Sequence, residues 1–102
     1  MNRGEVWWLE DPDVGRRPAC VLTRQTAVPV LSSIVVAMAT RTVRDIPTEV
    51  VLETEDGMPE RCALSLDNLR TVPKVYLTSR ITRLSSRRVV EICVALRRAT
   101  GC

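Results

Sequence analysis

Arg17, set directly before Pro18, and Thr40, at the end of an apolar run, are the two side chains whose types and settings suit phosphate chemistry. A guanidinium presents a planar fork of donors to phosphate oxygens. The proline beside it narrows the local backbone, so little entropy is lost in positioning the side chain. A hydroxyl at Thr40 can donate to the same phosphate or orient a neighbouring hydroxyl. RNA brings its own nucleophile, the 2′-hydroxyl. A catalyst need only orient that group, manage two protons and stabilise the charge that gathers on phosphorus. Each residue also has an ordinary explanation, since Arg-Pro pairs are common and threonine often ends a strand.

Other chemistries find less support. The sequence has no histidine, which removes histidine acid/base catalysis and Ser-His or Cys-His nucleophiles. Asp11 with Asp13, and Glu53 with Glu55 and Asp56, sit in turn-rich contexts without a basic phosphate clamp in the same run, which reads against Mg²⁺ catalysis. The glycines are isolated, so there is no phosphate-cradling loop. Cys20, Cys62, Cys93 and Cys102 form no C-x-x-C pair, and they read as thiols in a reducing compartment with Cys102 the most exposed. No metal and no cofactor is expected. The net charge is +3, and of 15 basic residues only Lys74 is not arginine. That bias fits an anionic partner and equally a GC-rich coding sequence, so composition alone does not establish RNA binding.

The elements that must position Arg17 and Thr40 are mostly strands. Gly4 to Leu9 reads as a first strand, Ala19 to Thr23 as a second and Ser33 to Thr40 as a third, the last apolar enough to be covered on both faces. Between the first two, Glu10 to Arg17 holds Asp11-Pro12-Asp13 and Gly15 and reads as an exposed loop. Thr48 to Glu53 forms a fourth strand, followed by a turn over Glu55 to Pro59. A fifth strand lies near Arg61 to Leu66 and a last one near Ser79 to Leu84. From Ser86 the period changes: Val89, Ile92, Cys93 and Leu96 fall on one helical stripe, with Ser85 as N-cap and Gly101 just past the end. Arg87 and Arg88 lie at the unfavourable end of the helix dipole, which points to a nearby anion or to plain solvation. One domain spanning residues 1–102 is expected, with no membrane span, no signal peptide and a cytoplasmic location.

Five motifs occur in an order that resembles the MazF/PemK family across nearly the whole chain. Arg3-Gly4-Glu5-Val6-Trp7-Trp8 is similar to the family's R-G-(D/E)-(V/I)-(Y/W) start. Arg17-Pro18-Ala19-Cys20-Val21-Leu22 resembles its R-P-x-(V/L)-(V/I)-(V/L) run, and Ile34 to Thr40 resembles the strand that ends in a catalytic Thr or Ser. Pro47-Thr48-Glu49-Val50 and Asp67-Asn68-Leu69-Arg70-Thr71-Val72 match two further segments. The resemblance implies a mainly β fold, an SH3-like, partly open antiparallel barrel with a C-terminal α-helix, assembled as a homodimer. It implies metal-independent cleavage of single-stranded RNA at a short sequence, leaving a 2′,3′-cyclic phosphate and a 5′-hydroxyl, and restraint by a MazE-type antitoxin.

By position, Arg17 matches the family's catalytic arginine and Thr40 its catalytic hydroxyl. The family assigns the arginine both proton transfer and charge stabilisation; the second is the better fit for a side chain type that is almost never neutral in water. Trp8 matches an aromatic beside the substrate groove and can stack on a base or pack in the core, while Trp7 should point the other way and pack inside. The segment Glu10 to Arg16 is shorter than the family's first loop and lacks its G-S-E-Q, so contacts made by that loop do not transfer. Arg16 and Arg24 are candidate phosphate contacts in its place, or solvated surface residues. Two other readings remain: a CcdB-like toxin that poisons gyrase by protein contact, and a non-catalytic RNA-binding module.

Overall fold

The computed structural model describes residues 1–13 and 15–102. Val14, inside the segment read as a loop, lies outside the described residues. Strand β3 (Ser33–Thr40) is the spine of the molecule. Its apolar run could not tolerate one wet face, and the fold gives it two dry ones. Ala37 and Ala39 point into one core with Val6, Leu52, Leu64 and Ile92, while Ile34, Val36 and Met38 point into another with Leu9, Val21 and Val72. Burial on both faces follows from the absence of alternation, as expected of such a run.

The remaining strands are β1 (Glu5–Asp11), β2 (Gly15–Val21), β4 (Glu49–Leu52), β5 (Cys62–Pro73) and β6 (Leu77–Arg83). They form one antiparallel sheet in the order β4-β5-β3-β2-β1-β6, a six-stranded half-barrel. Helix α1 (Ser86–Thr100) closes one face, with Ile92 and Ala95 buried and Val89 and Leu96 packed beside them. Its ends are those read from the sequence. The Ser85 hydroxyl accepts from the Arg88 amide at 3.2 Å, and Gly101, at φ 73°, donates to the Arg97 carbonyl.

Two expectations are corrected. The segment Glu10 to Arg17 is mostly strand rather than loop: Glu10 and Asp11 end β1 and Gly15 to Arg17 begin β2, pairing Glu10 with Arg16 and Asp11 with Gly15, while Pro12 and Asp13 form a turn. Turn-forming residues dominate the local composition, but Asp11 is fixed from outside. Its carboxylate accepts from the Asp13 amide at 2.8 Å and from Arg70, on β5, at 3.1 Å, which holds the hairpin tip against the sheet. The fifth strand likewise runs well past Leu66, to Pro73. The register with β3 jumps between Ala37, opposite Leu69, and Met38, opposite Ser65, so extra residues of β5 bulge out around Asp67 and Asn68. A bulge interrupts the alternation that marks a strand in sequence.

The unfavourably placed Arg88 has found an anion. Its Nε and Nη2 each lie 3.0 Å from the Asp56 carboxylate, and Nη1 meets Glu91. Asp56 ends a short 3-10 turn (Thr54–Asp56), and Gly57 follows at φ 93° against Thr82, where an added Cβ would sit 2.3 Å from the hydroxyl. Glycine is required there on both counts. The bridge pins the β4–β5 connection to the start of the helix. That connection forms one wall of the cleft described next.

Candidate active site

Backbone pairing between β2 and β3 covers only Ala19 to Val21. Towards Gly15 the two strands part, and β2 is bonded on the β1 side alone, where Trp8 faces Pro18. A proline, lacking its N–H, suits a strand paired on one side. The gap left by the parting strands is a cleft of about 270 Å³. Its floor and near wall are Trp8, Arg16, Arg17, Pro18 and Thr40, and Met58, Pro59 and Glu60 from the β4–β5 connection form the far wall.

Arg17 takes over the hydrogen bonding that the backbone abandons. Its Nη2 donates to the Ala39 carbonyl at 2.7 Å, so the guanidinium is held against the residue that precedes Thr40. A charged donor on a carbonyl is a strong, short contact, and it leaves the other guanidinium N–H groups available to an anion. Thr40 Oγ1 accepts from the Thr42 amide at 3.2 Å, which turns the chain at the end of β3 and orients the hydroxyl. Arg17 and Thr40 thus line one cleft, from neighbouring strands, on rigid backbone.

Trp8 is half-buried in this cleft, and the Arg16 guanidinium lies over its ring, 4.0 Å from the centroid. Cation–π contact contributes about 0.5–1 kcal/mol at an exposed site, and it builds a flat platform of the kind on which a base stacks. Trp7 points to the opposite side and packs against the second core, and its indole N–H donates to Glu5 at 3.0 Å. Glu5 is the one buried charged residue among the described residues, at 2% exposure. Burial pushes its carboxyl up, but the Trp7 N–H, the Asn2 amide, Arg80 and the Asn2 side chain together outweigh that and bring it down to about 2. The motif glutamate therefore anchors β1 and holds Trp7 on the core side, and strand alternation leaves Trp8 facing the cleft.

Arg24 is not brought to the site. It is exposed beyond the Val21 end of β2, opposite the end that carries Arg17, and its carbonyl caps a turn through Ala27 and Val28. Sequence reasoning missed Arg41 and Glu60, which bridge the mouth of the cleft at 2.8 Å. Arg41 adjoins Thr40 and was open to notice; Glu60 lay between the turn read over Glu55 to Pro59 and the fifth strand, and was assigned to neither.

Three of the five acidic residues weighed as metal ligands are held in ion pairs: Asp11 with Arg70, Glu53 with Arg61 and Asp56 with Arg88. Among the described residues no three of Cys, Asp and Glu gather as a metal site. All four cysteines are free. Burial pushes the Cys20 thiol up to about 12 and raises Cys62 as well, so Cys62, though it lines the cleft, is a wall rather than a nucleophile.

The same arrangement of strands and helix occurs in known proteins. A toxin of Mycobacterium tuberculosis, MazF-mt6, superposes with a TM-score of 0.87 at 28% identity, covering 95% of this chain and 96% of that one. A mycobacterial endoribonuclease solved in complex with its cognate antitoxin gives a TM-score of 0.89 at 25% identity over 99% of this chain and 95% of its own. In sequence, the chain is 45% identical over 101 residues to the probable endoribonuclease MazF5 of Mycobacterium tuberculosis, covering 98% of this chain and 93% of that protein. The family model for the PemK-like, MazF-like toxin of type II toxin–antitoxin systems matches residues 2–100. With a cleft at the matching motifs and similarity along its whole length, this chain belongs to the PemK-like, MazF-like toxins of type II toxin–antitoxin systems.

Proposed function

We propose that this chain is a metal-independent endoribonuclease that cuts single-stranded RNA, with Arg17 and Thr40 at the reacting phosphate. The carrying observation is the Arg17 guanidinium fixed to the Ala39 carbonyl beside Thr40, in a cleft with three arginines and one carboxylate. The relatives named above as endoribonucleases support it. In the proposed reaction the 2′-hydroxyl oxygen bonds to phosphorus as the bond to the 5′-oxygen breaks. The proton lost by the first oxygen is matched by one gained at the second, giving a 2′,3′-cyclic phosphate and a 5′-hydroxyl. Arg17 stabilises the charge on the non-bridging oxygens, and the Thr40 hydroxyl orients the nucleophile or the phosphate. Trp8 with Arg16 receives a neighbouring base. A gyrase-poisoning contact or a non-catalytic module makes no use of this pairing.

The partners follow from the same surface. An antitoxin of the MazE type, with an acidic segment, would fill the basic cleft and mask Arg17; a mycobacterial relative is solved in complex with its cognate antitoxin. A homodimer suits a domain this small, and Val30 and Val75, 79% and 81% exposed, are apolar side chains that association would cover. No helix among the described residues is long and apolar enough to cross a membrane. The cytoplasm, where RNA is translated, is the proposed compartment.

Purified protein should cut single-stranded RNA in excess EDTA, and Arg17→Ala should fold yet lose cutting by about a thousandfold, in the range seen when one charge-stabilising donor is removed. Activity that vanishes on chelation would overturn the metal-free reading. Undiminished cleavage by the variant would remove Arg17 from the chemistry.

A further inference from the structure

A cleft that receives a polyanion has an evident use for Arg16, Arg17 and Arg41. It has no such use for Glu60, the one carboxylate among its lining residues. Placed at the mouth, 58% exposed, Glu60 repels phosphate, and its ion pair with the 87% exposed Arg41 contributes at most about 1 kcal/mol in water. Such a pair is readily exchanged. Arriving RNA offers each member a better partner: phosphate for the guanidinium and hydrogen-bond donors on a base for the carboxylate.

We infer that Glu60 is a specificity-determining residue that reads the Watson–Crick edge of a guanine beside the scissile phosphate; this rests on the ribonuclease function proposed above. A carboxylate only accepts hydrogen bonds. Guanine presents two adjacent donors, N1–H and the N2 amino group, which match its two oxygens. Cytosine and adenine each pair one donor with a ring acceptor that the carboxylate repels, and uracil flanks its single donor with two carbonyls. In single-stranded RNA these edges are free to be read. The surroundings suit a base: Met58 and Pro59, on the same connection as Glu60, give the far wall an apolar surface, and Trp8 supplies an aromatic face across the cleft.

The test is cleavage of a random-sequence RNA pool by the full-length protein and by Glu60→Gln, with the 5′ ends sequenced. Wild type should show guanine enriched at one position next to the cut. A glutamine amide presents one acceptor and one donor, so the variant should lose that guanine preference by about tenfold, with the gain spread over adenine, cytosine and uracil, each of which sets a donor beside an acceptor. Wild-type cutting without guanine enrichment overturns the inference, as does a variant with the wild-type preference. So does a variant that cuts every sequence equally more slowly, because that marks a role in proton transfer instead. A wild-type protein that cuts no RNA overturns the ribonuclease function itself, a result distinct from the other three.

Discussion

Replacing Glu5 with glutamine should cost stability in a manner that depends on pH, and the size follows from the structure. The Glu5 carboxyl, held at about 2 against an ordinary 4.5, is stabilised in its charged form by about 3 kcal/mol. Because the folded value is the lower one, that stability is fully present above pH 4.5. It is lost as pH falls from there through 2, where the native carboxylate protonates. Glutamine keeps the shape but turns an amide N–H towards donors at Trp7, Asn2 and Arg80. Urea unfolding at several pH values between 7 and 2, at one fixed protomer concentration, measures the effect. The wild type should exceed Glu5→Gln by about 3 kcal/mol at neutral pH, and the gap should close steadily below pH 4.5. Asp56, whose carboxyl is also lowered, chiefly by its hydrogen bond to Arg88, titrates in both proteins and cancels. A gap of constant size from pH 7 to 2 would refute the reasoning, because it would trace the loss to packing rather than to the charge.

Thr40→Ser should retain most cutting and Thr40→Val should lose it, since only the first keeps a hydroxyl; equal rates in a cleavage assay would remove the hydroxyl from the proposed chemistry. Arg88→Met should lower unfolding stability by about 2–3 kcal/mol through loss of the fork on Asp56, in the range for a partly buried, charge-assisted contact, as read from urea midpoints. Arg24→Ala should leave the cleavage rate within about twofold of wild type at moderate salt, where an exposed charge remote from the cleft is screened. A larger loss would place RNA along the far end of β2.

The parts legible from sequence were those where one physical demand governs a whole segment. An unbroken apolar run from Ile34 to Ala39 permits only a strand covered on both faces, and the stripe Val89, Ile92, Cys93 and Leu96 permits only a helix on a sheet. The motifs paired Arg17, read as the end of a loop, with Thr40 at the end of the third strand; Arg17 in fact lies on β2, and the parting of β2 and β3 explains why the two strands present them to a common cleft. What escaped notice depended on distant partners. Asp11 and Gly15 look like loop residues until Arg70 is seen to hold the hairpin, and Asp67 and Asn68 break the pattern of a strand that continues regardless. Arg24 was drawn in by residue type alone, and the course of β2 carries it away. Glu60 carried no signal, because a lone carboxylate between a turn and a strand becomes notable only when three arginines line the same space.

Strand β3 belongs to both cores at once, and this bears on how such a protein can be silenced. Neither core can open without unseating the other from the shared strand, so the amides of Ile34 to Ala39 should be among the last to exchange with solvent, at rates set by global unfolding. Thr40 hangs from the end of that strand, and Arg17 is tied to its neighbour Ala39. Distorting the strand backbone that carries Thr40 would therefore demand nearly the whole folding free energy. Covering the pair demands only a ligand that fits the cleft, and for a scaffold this stiff, occupation rather than deformation is the economical form of control.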